Sequence, residues 1–271
     1  MIFLKSESEI DKMRESAQLV SRTLGEVARY IEPGVTTAKL DRVADEFISR
    51  HNARPAFKGY GPENNPFPAA LCISVNEEVV HGIPSETRTL REGDVVSIDC
   101  GVEKDGYFGD QAYTFAVGEC DEETLKLLRT TLESLYKGIE QAVHGNKIGD
   151  ISNAIQTYCE REGYGIVRDL VGHGLGRSLH EDPSVPNFGR KGRGERLRSG
   201  MTLAIEPMVT MGTWKVKTLE DGWTIVTADA GIAAHYEHDV VVREGKAEIL
   251  STFDYIYEIT KNRINEDIQN G

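Results

Sequence analysis

From Ser8 to Ile31 the apolar residues Ile10, Met13, Ala17, Val20, Leu24, Val27 and Ile31 recur every three or four positions, and Pro33-Gly34 ends the run. That spacing predicts an amphipathic helix. Thr37 is placed to cap a second helix, in which Leu40, Val43, Ala44, Phe47 and Ile48 share one face. Residues 58–68 are rich in glycine and proline and read as an irregular loop. The pattern then turns from helical to alternating. LCISVNEEVVHG (71–82) and VVSIDCGVEKDGYFGDQAYTFAVG (95–118) are β-rich. Helical spacing returns over 122–143 and again over 148–162, the latter opening with Gly149-Asp150. A glycine-rich, irregular stretch (171–200) leads into β-rich runs at 201–212, 222–231, 234–244 and 246–252.

Two helices followed by strands, twice over, predict an α+β domain of two similar halves around a shared antiparallel sheet. No linker-like tract separates the halves, so the expectation is one domain over 1–271, with pseudo-halves of about 1–120 and 121–271. Asp105-Gly106 is a strong two-residue hairpin signal. Pairing about it places Asp110 opposite Gly101, two residues along from Asp99. Asp99 and Asp110 then project from the same face. Val95, Val96, Ile98, Tyr113 and Phe115 mark the flanking strands as buried, which leaves two carboxylates needing a reason to be there.

Further polar anomalies lie downstream. His173 sits between two glycines in VGHGLGRSLHEDP, with His180 seven residues on. Glu206 interrupts the apolar run TLAIEPMV. Glu237 stands in AHYEHDVVV, flanked by His235 and His238 and just before Asp239. A buried carboxylate needs a cation or a proton. Four carboxylates and one imidazole suit two divalent ions better than one structural zinc.

Charge and cysteine usage narrow the class. A formal charge of -13 argues against an electrostatically driven binder of nucleic acid or anionic membranes. Four widely spaced cysteines, Cys72, Cys100, Cys120 and Cys159, contain no CxxC pair and read as free thiols of a reducing compartment. The N-terminus turns charged after a three-residue apolar run, and no stretch approaches the length of a membrane span. The expectation is a cytoplasmic protein without a membrane partner. GRKGRGERLRSG gathers Arg190, Lys191, Arg193, Arg196 and Arg198 in an otherwise acidic chain. It reads as a solvated loop, with transient contact to ribosomal RNA as the alternative.

The ordered set VVHGIP, SIDCG, GDQAYTF, VGHGLGRSLHEDP, AIEPM and YEHDVVV resembles the type I methionine aminopeptidases, over roughly Ser8 to Thr252. The resemblance implies the pita-bread (creatinase/aminopeptidase) fold, with its two pseudo-symmetric α-β halves and curved antiparallel sheet. It implies two divalent ions, cobalt, manganese, iron or zinc. One would be held by Asp99, Asp110 and Glu237, the other by Asp110, His173, Glu206 and Glu237. Glu206 would shuttle the proton, His180 would stabilise the oxyanion, and His81 would contact the scissile amide nitrogen. The methionine pocket maps by position to Phe57, Tyr60, Phe67, Cys72, Leu179 and Trp223. The implied substrate is the N-terminus of a nascent polypeptide with a small second residue, and the implied state is a monomer. Two rivals stand beside this reading: an X-Pro aminopeptidase or prolidase of the same fold, and a catalytically dead binding module. The first usually carries an extra N-terminal domain, and the second typically loses ligands.

Overall fold

The computed structural model describes residues 1–260. Helices α1 (Glu7–Ala28) and α2 (Thr37–Arg50) precede strands β1 (Arg54–Pro55), β2 (Leu71–Val75), β3 (Glu78–Val80), β4 (Val95–Lys104) and β5 (Tyr107–Ala116). Helices α3 (Glu122–Ile139) and α4 (Ile148–Arg161) open the second half. They are followed by β6 (Gly165–Ile166), β7 (Val171–Gly174), β8 (Glu181–Pro186), β9 (Thr202–Ile205) and β10 (Met208–Thr210). Then come β11 (Val216–Thr218), β12 (Ile225–Thr227), β13 (Ala233–His235), β14 (His238–Val241), β15 (Glu248–Ile249) and the short α5 (Asp254–Thr260).

The predicted helices form with trimmed ends. The first stops at Ala28 rather than Ile31, and the third at Ile139 rather than Val143. The cap of α2 is Thr36, not Thr37: Thr36 Oγ1 accepts from Lys39 N at 3.3 Å, while the Thr37 hydroxyl accepts from Ser85 N at 2.9 Å. Two adjacent threonines offer the same chemistry, and the fold uses the second one to tie α2 to the 85–88 segment. Helix α4 is closed by Asp150, whose carboxylate accepts from Lys147 N at 2.8 Å. The stretch 171–200 contains the strands β7 and β8, which glycine and proline had hidden.

Among the described residues every pairing between named strands is antiparallel. The main ladder of the first half runs β1-β4-β2, with β5 also on β4; that of the second runs β15-β14-β9-β7-β8. The ladders β13-β10-β6 and β11-β12-β3 complete the sheet structure. The two halves join where β5 meets the 235–239 segment. Glu237 N donates to Ala112 O at 3.0 Å, and Asp110 N to Asp239 Oδ2 at 2.7 Å. Helix α1 lies on the β4–β5 hairpin. At Gly109 a Cβ would come within 2.5 Å of Ala17 N, so only glycine allows the helix so close. Ile10, Met13, Val20, Leu24 and Val27 on that helix are fully buried. Each such side chain contributes about 1.5–3 kcal/mol of burial free energy. One continuous core runs from Leu19 on α1 to Ile256 on α5, through both halves. All four cysteines are free. Among the described residues no helix is long and apolar enough to cross a membrane.

Candidate metal centre and substrate pocket

The hairpin turns where Asp105-Gly106 predicts, both residues at positive φ (52° and 77°). Gly101 faces Asp110 and Asp99 faces Ala112, so the two aspartates share a face. Across the seam the chain brings in His173 from β7, Glu206 just after β9 and Glu237 between β13 and β14. Ligand atoms of Asp110, His173 and Glu237 lie within 4.8 Å of one another. His173 Nε2 is 3.7 Å from Glu206 Oε1 and 3.9 Å from Asp110 Oδ2. Its Nδ1 sits 2.9 Å from Gly174 O, which makes Nδ1–H the donor and leaves the Nε2 lone pair facing the carboxylates. Strand β7 is pressed between its neighbours: a Cβ at Gly172 would collide with Ala204 O, and one at Gly174 with Asp182 O. The glycines around His173 are therefore a packing requirement.

This cluster is electrostatically unfinished. Asp99 Oδ1, Asp110 Oδ1 and Glu237 Oε1 are buried without a hydrogen-bond partner. Burial pushes Asp99 up to about 7 and Glu206 up to about 8. Asp110 and Glu237 rise well above the carboxylate range, by burial first and then by the neighbouring carboxylates. His173 falls to about 3, again mainly through burial. Among the described residues no lysine or arginine lines the cavity that holds these groups. Orphaned hard oxygens around one neutral imidazole fit a divalent cation.

The cavity beside them has a volume of about 290 Å³ and is lined by Phe57, Tyr60, Phe67, Cys72, Leu179 and Trp223, along with His81 and His180. Cys72 lies opposite Asp99 on the paired strand, so the apolar wall and the carboxylates are neighbours by register. Phe67 meets Trp223 edge-on at 5.3 Å between ring centroids, and Trp223 Nε1 donates to Asn65 O at 3.0 Å. That bond anchors the 58–68 loop over the pocket. Tyr60 Oη lies 2.7 Å from His180 Nδ1, and the His180 ring stands 4.2 Å from that of His173. His81 takes a positive φ of 59° in a turn tied down by its successor. Gly82 N donates to Ser74 Oγ at 3.1 Å, and Gly82 O accepts from Ile73 N at 2.8 Å. Burial, with His235 and His180 nearby, lowers His81 to about 4 and keeps it neutral.

Several residues escaped the sequence reading. Met208, Val80, Asp169, Leu170 and Val171 also line the cavity. Asp239 is fully buried and carries the main chain of Asp110; its signal, a carboxylate beginning an apolar VVV run, is the one that picked out Glu206. His235 reaches Glu206 at 3.4 Å. His238 points elsewhere, toward Ser251 Oγ at 2.7 Å. The five cations of 190–198 are exposed, on a loop pinned to the start of α4 by Gly149 N donating to Arg193 O and Gly192 N donating to Asp150 Oδ1, both 2.8 Å.

Comparison with known proteins bears on the whole of this arrangement. The model of metallopeptidase family M24 matches residues 11–244. A methionine aminopeptidase of Clostridium acetobutylicum is 54% identical over 251 residues, 93% of this chain and 99% of the relative. One from Clostridium perfringens is 55% identical over 252 residues, again 93% and 99%. Among solved structures, a methionine aminopeptidase from Thermotoga maritima superposes with a TM-score of 0.90 at 47% identity, covering 93% of this chain and 100% of the other.

Proposed function

Because the chain belongs to metallopeptidase family M24, we propose that it is a methionine aminopeptidase acting on newly made polypeptides, with two divalent ions at its centre. Its pita-bread fold is shared with its structural neighbours. The observation that carries the reading is the convergence of five potential ligands, three of them with orphaned buried oxygens, beside an apolar pocket. Asp99, Asp110 and Glu237 would hold one ion, and Asp110, His173, Glu206 and Glu237 the other. Ions bound there supply Lewis acidity, polarising the scissile carbonyl and making a water acidic near neutral pH.

The chain's own groups do the rest. Phe57, Phe67, Cys72, Leu179 and Trp223 receive the unbranched thioether side chain, a shape that apolar and aromatic walls accommodate well. Asp99 would help hold an ion suited to fix the substrate's neutral amine, which favours a chain end over an internal bond. Glu206 accepts a proton from the attacking water and returns it to the nitrogen as the C–N bond breaks. His180 donates to the developing oxyanion. With the Tyr60 hydroxyl donating to Nδ1, its Nε2 carries the proton. His81, held by its left-handed turn, contacts the leaving nitrogen.

The exposed, pinned loop 190–198 reads first as a solvated loop, and the alternative, a transient contact with ribosomal RNA, would place the enzyme near emerging N-termini. Unchanged co-sedimentation with ribosomes after neutralising its five cations would exclude that contact. The main test is hydrolysis of Met-Ala-Ser by the metal-free protein, before and after adding manganese or cobalt. Expected are release of methionine only with metal, and slower turnover as the second residue grows. Cleavage of X-Pro peptides alone would put the prolidase reading in its place, and no metal-dependent turnover on any peptide would favour the inert scaffold.

A further inference from the structure

One polar group in the wall of the metal centre has a position but no bonding partner. His235 ends β13, opposite Met208 on β10, and is 1% exposed. A single hydroxyl clamps its main chain: Thr114 Oγ1 accepts from His235 N at 2.9 Å and donates to His235 O at 2.7 Å. Thr114 belongs to β5, so the first half of the molecule fixes this residue of the second. The His235 Nε2 atom is buried without a hydrogen-bond partner. It lies 3.4 Å from Glu206 Oε2, whereas Glu206 Oε1 lies 3.7 Å from His173 Nε2. The two oxygens of one carboxylate thus face two different imidazoles. One imidazole belongs to the ligand set. The other has been given no role.

We propose that His235 positions Glu206, its Nε2–H donating to Oε2 so that Oε1 alone is turned toward the cation. The inference rests on the metallopeptidase reading of the centre. A carboxylate with both oxygens free can grip a cation with one oxygen or with two. Glu206 is asked both to bind and to take up a proton, which requires one oxygen to keep a fixed direction. A buried donor aimed at the second oxygen supplies that constraint, and a buried donor left unpaired would be costly. His238, the other histidine beside Glu237, cannot substitute, because its Nδ1 is engaged by Ser251 Oγ.

The test is calorimetric titration of metal-free protein with cobalt(II), comparing wild type, His235→Leu and His235→Gln, with thermal unfolding as the check on folding. Partners that orient a metal ligand typically account for roughly 10–100-fold in affinity. Expected is a loss of that size in His235→Leu with unchanged stoichiometry, and recovery in His235→Gln, whose amide N–H reaches the same place. Should the leucine variant not fold, His235→Asn, polar but too short to reach Oε2, is expected to show the same loss. Wild-type affinity in the leucine or asparagine variant overturns the assignment. So does loss of a whole cobalt equivalent in both the leucine and glutamine variants, which would make His235 a ligand itself. If the wild-type protein takes up no cobalt at all, the metal reading falls and the His235 assignment with it.

Discussion

Replacing Asp110 by alanine and replacing His180 by alanine should separate holding the metal from using it. Asp110 sits at the centre of the ligand group with an orphaned oxygen, so Asp110→Ala is expected to lose both bound metal and turnover. Full metal occupancy in that variant, measured by elemental analysis, would contradict its bridging role. His180 stands against the group without joining it, so His180→Ala should keep metal while kcat falls about 10²–10³-fold, the usual cost of an oxyanion donor. The burial of the cluster's carboxylates also predicts a pH signature for the metal-free protein. Burial raises Asp99 to about 7 and Glu206 to about 8, so the folded state holds protons that the unfolded chain releases near its ordinary carboxylate pKa. Stability from these groups is present at low pH and lost as pH climbs through their folded values. The depressed histidines, His81 at about 4 and His173 at about 3, act in the opposite sense, but only below about 6.5, where the unfolded imidazole gains its proton. Between pH 6.5 and 8 the carboxylates are left unopposed. Tm of the metal-free protein should fall across that window, and divalent metal should flatten the slope. A flat profile without metal would show that the carboxylates are not held protonated.

The β4–β5 hairpin was readable because Asp-Gly favours a two-residue turn, which sets the register and puts Asp99 and Asp110 on one face; a three-residue turn would have put them on opposite faces. Strands β7 and β8 were hidden for the opposite reason. The glycines of β7 are there so that neighbouring backbones can approach His173, and glycine carries no strand signal of its own, while β8 is masked by its prolines. The contact of α1 with the hairpin was equally invisible, since Gly109 reads as an ordinary glycine until Ala17 is laid over it. Gly109→Ala should force helix and hairpin apart, costing about 1–3 kcal/mol in chemical denaturation. It should also weaken cobalt binding, because the next residue is Asp110. An unchanged denaturation midpoint would mean that the helix is free to shift.

Across the molecule, five candidate ligand positions and the candidate pocket residues could be named from motif order and are brought together by the fold, whereas Asp239 and His235 could not be assigned. Asp110, the partner of Asp239, lies 129 positions away and meets it only when the halves close, whereas Glu206, the partner of His235, lies in the same half and meets it through the folding of that half. Metal bound between the halves would stabilise the folded state by mass action, by about 2.7 kcal/mol at a hundredfold excess over Kd. A chelator should therefore lower Tm in the wild-type protein and leave that of Asp110→Ala unmoved; equal shifts in both would place the stabilising metal elsewhere. The seam between β5 and the 235–239 segment carries one further implication. Asp99 and Asp110 are made early and Glu237 late, and the Glu237 main chain bonds directly to Ala112 on the hairpin. A half-synthesised copy has a pocket wall but no complete cage for ions. The candidate ion cage can therefore close only after the second half has been made and folded onto the first.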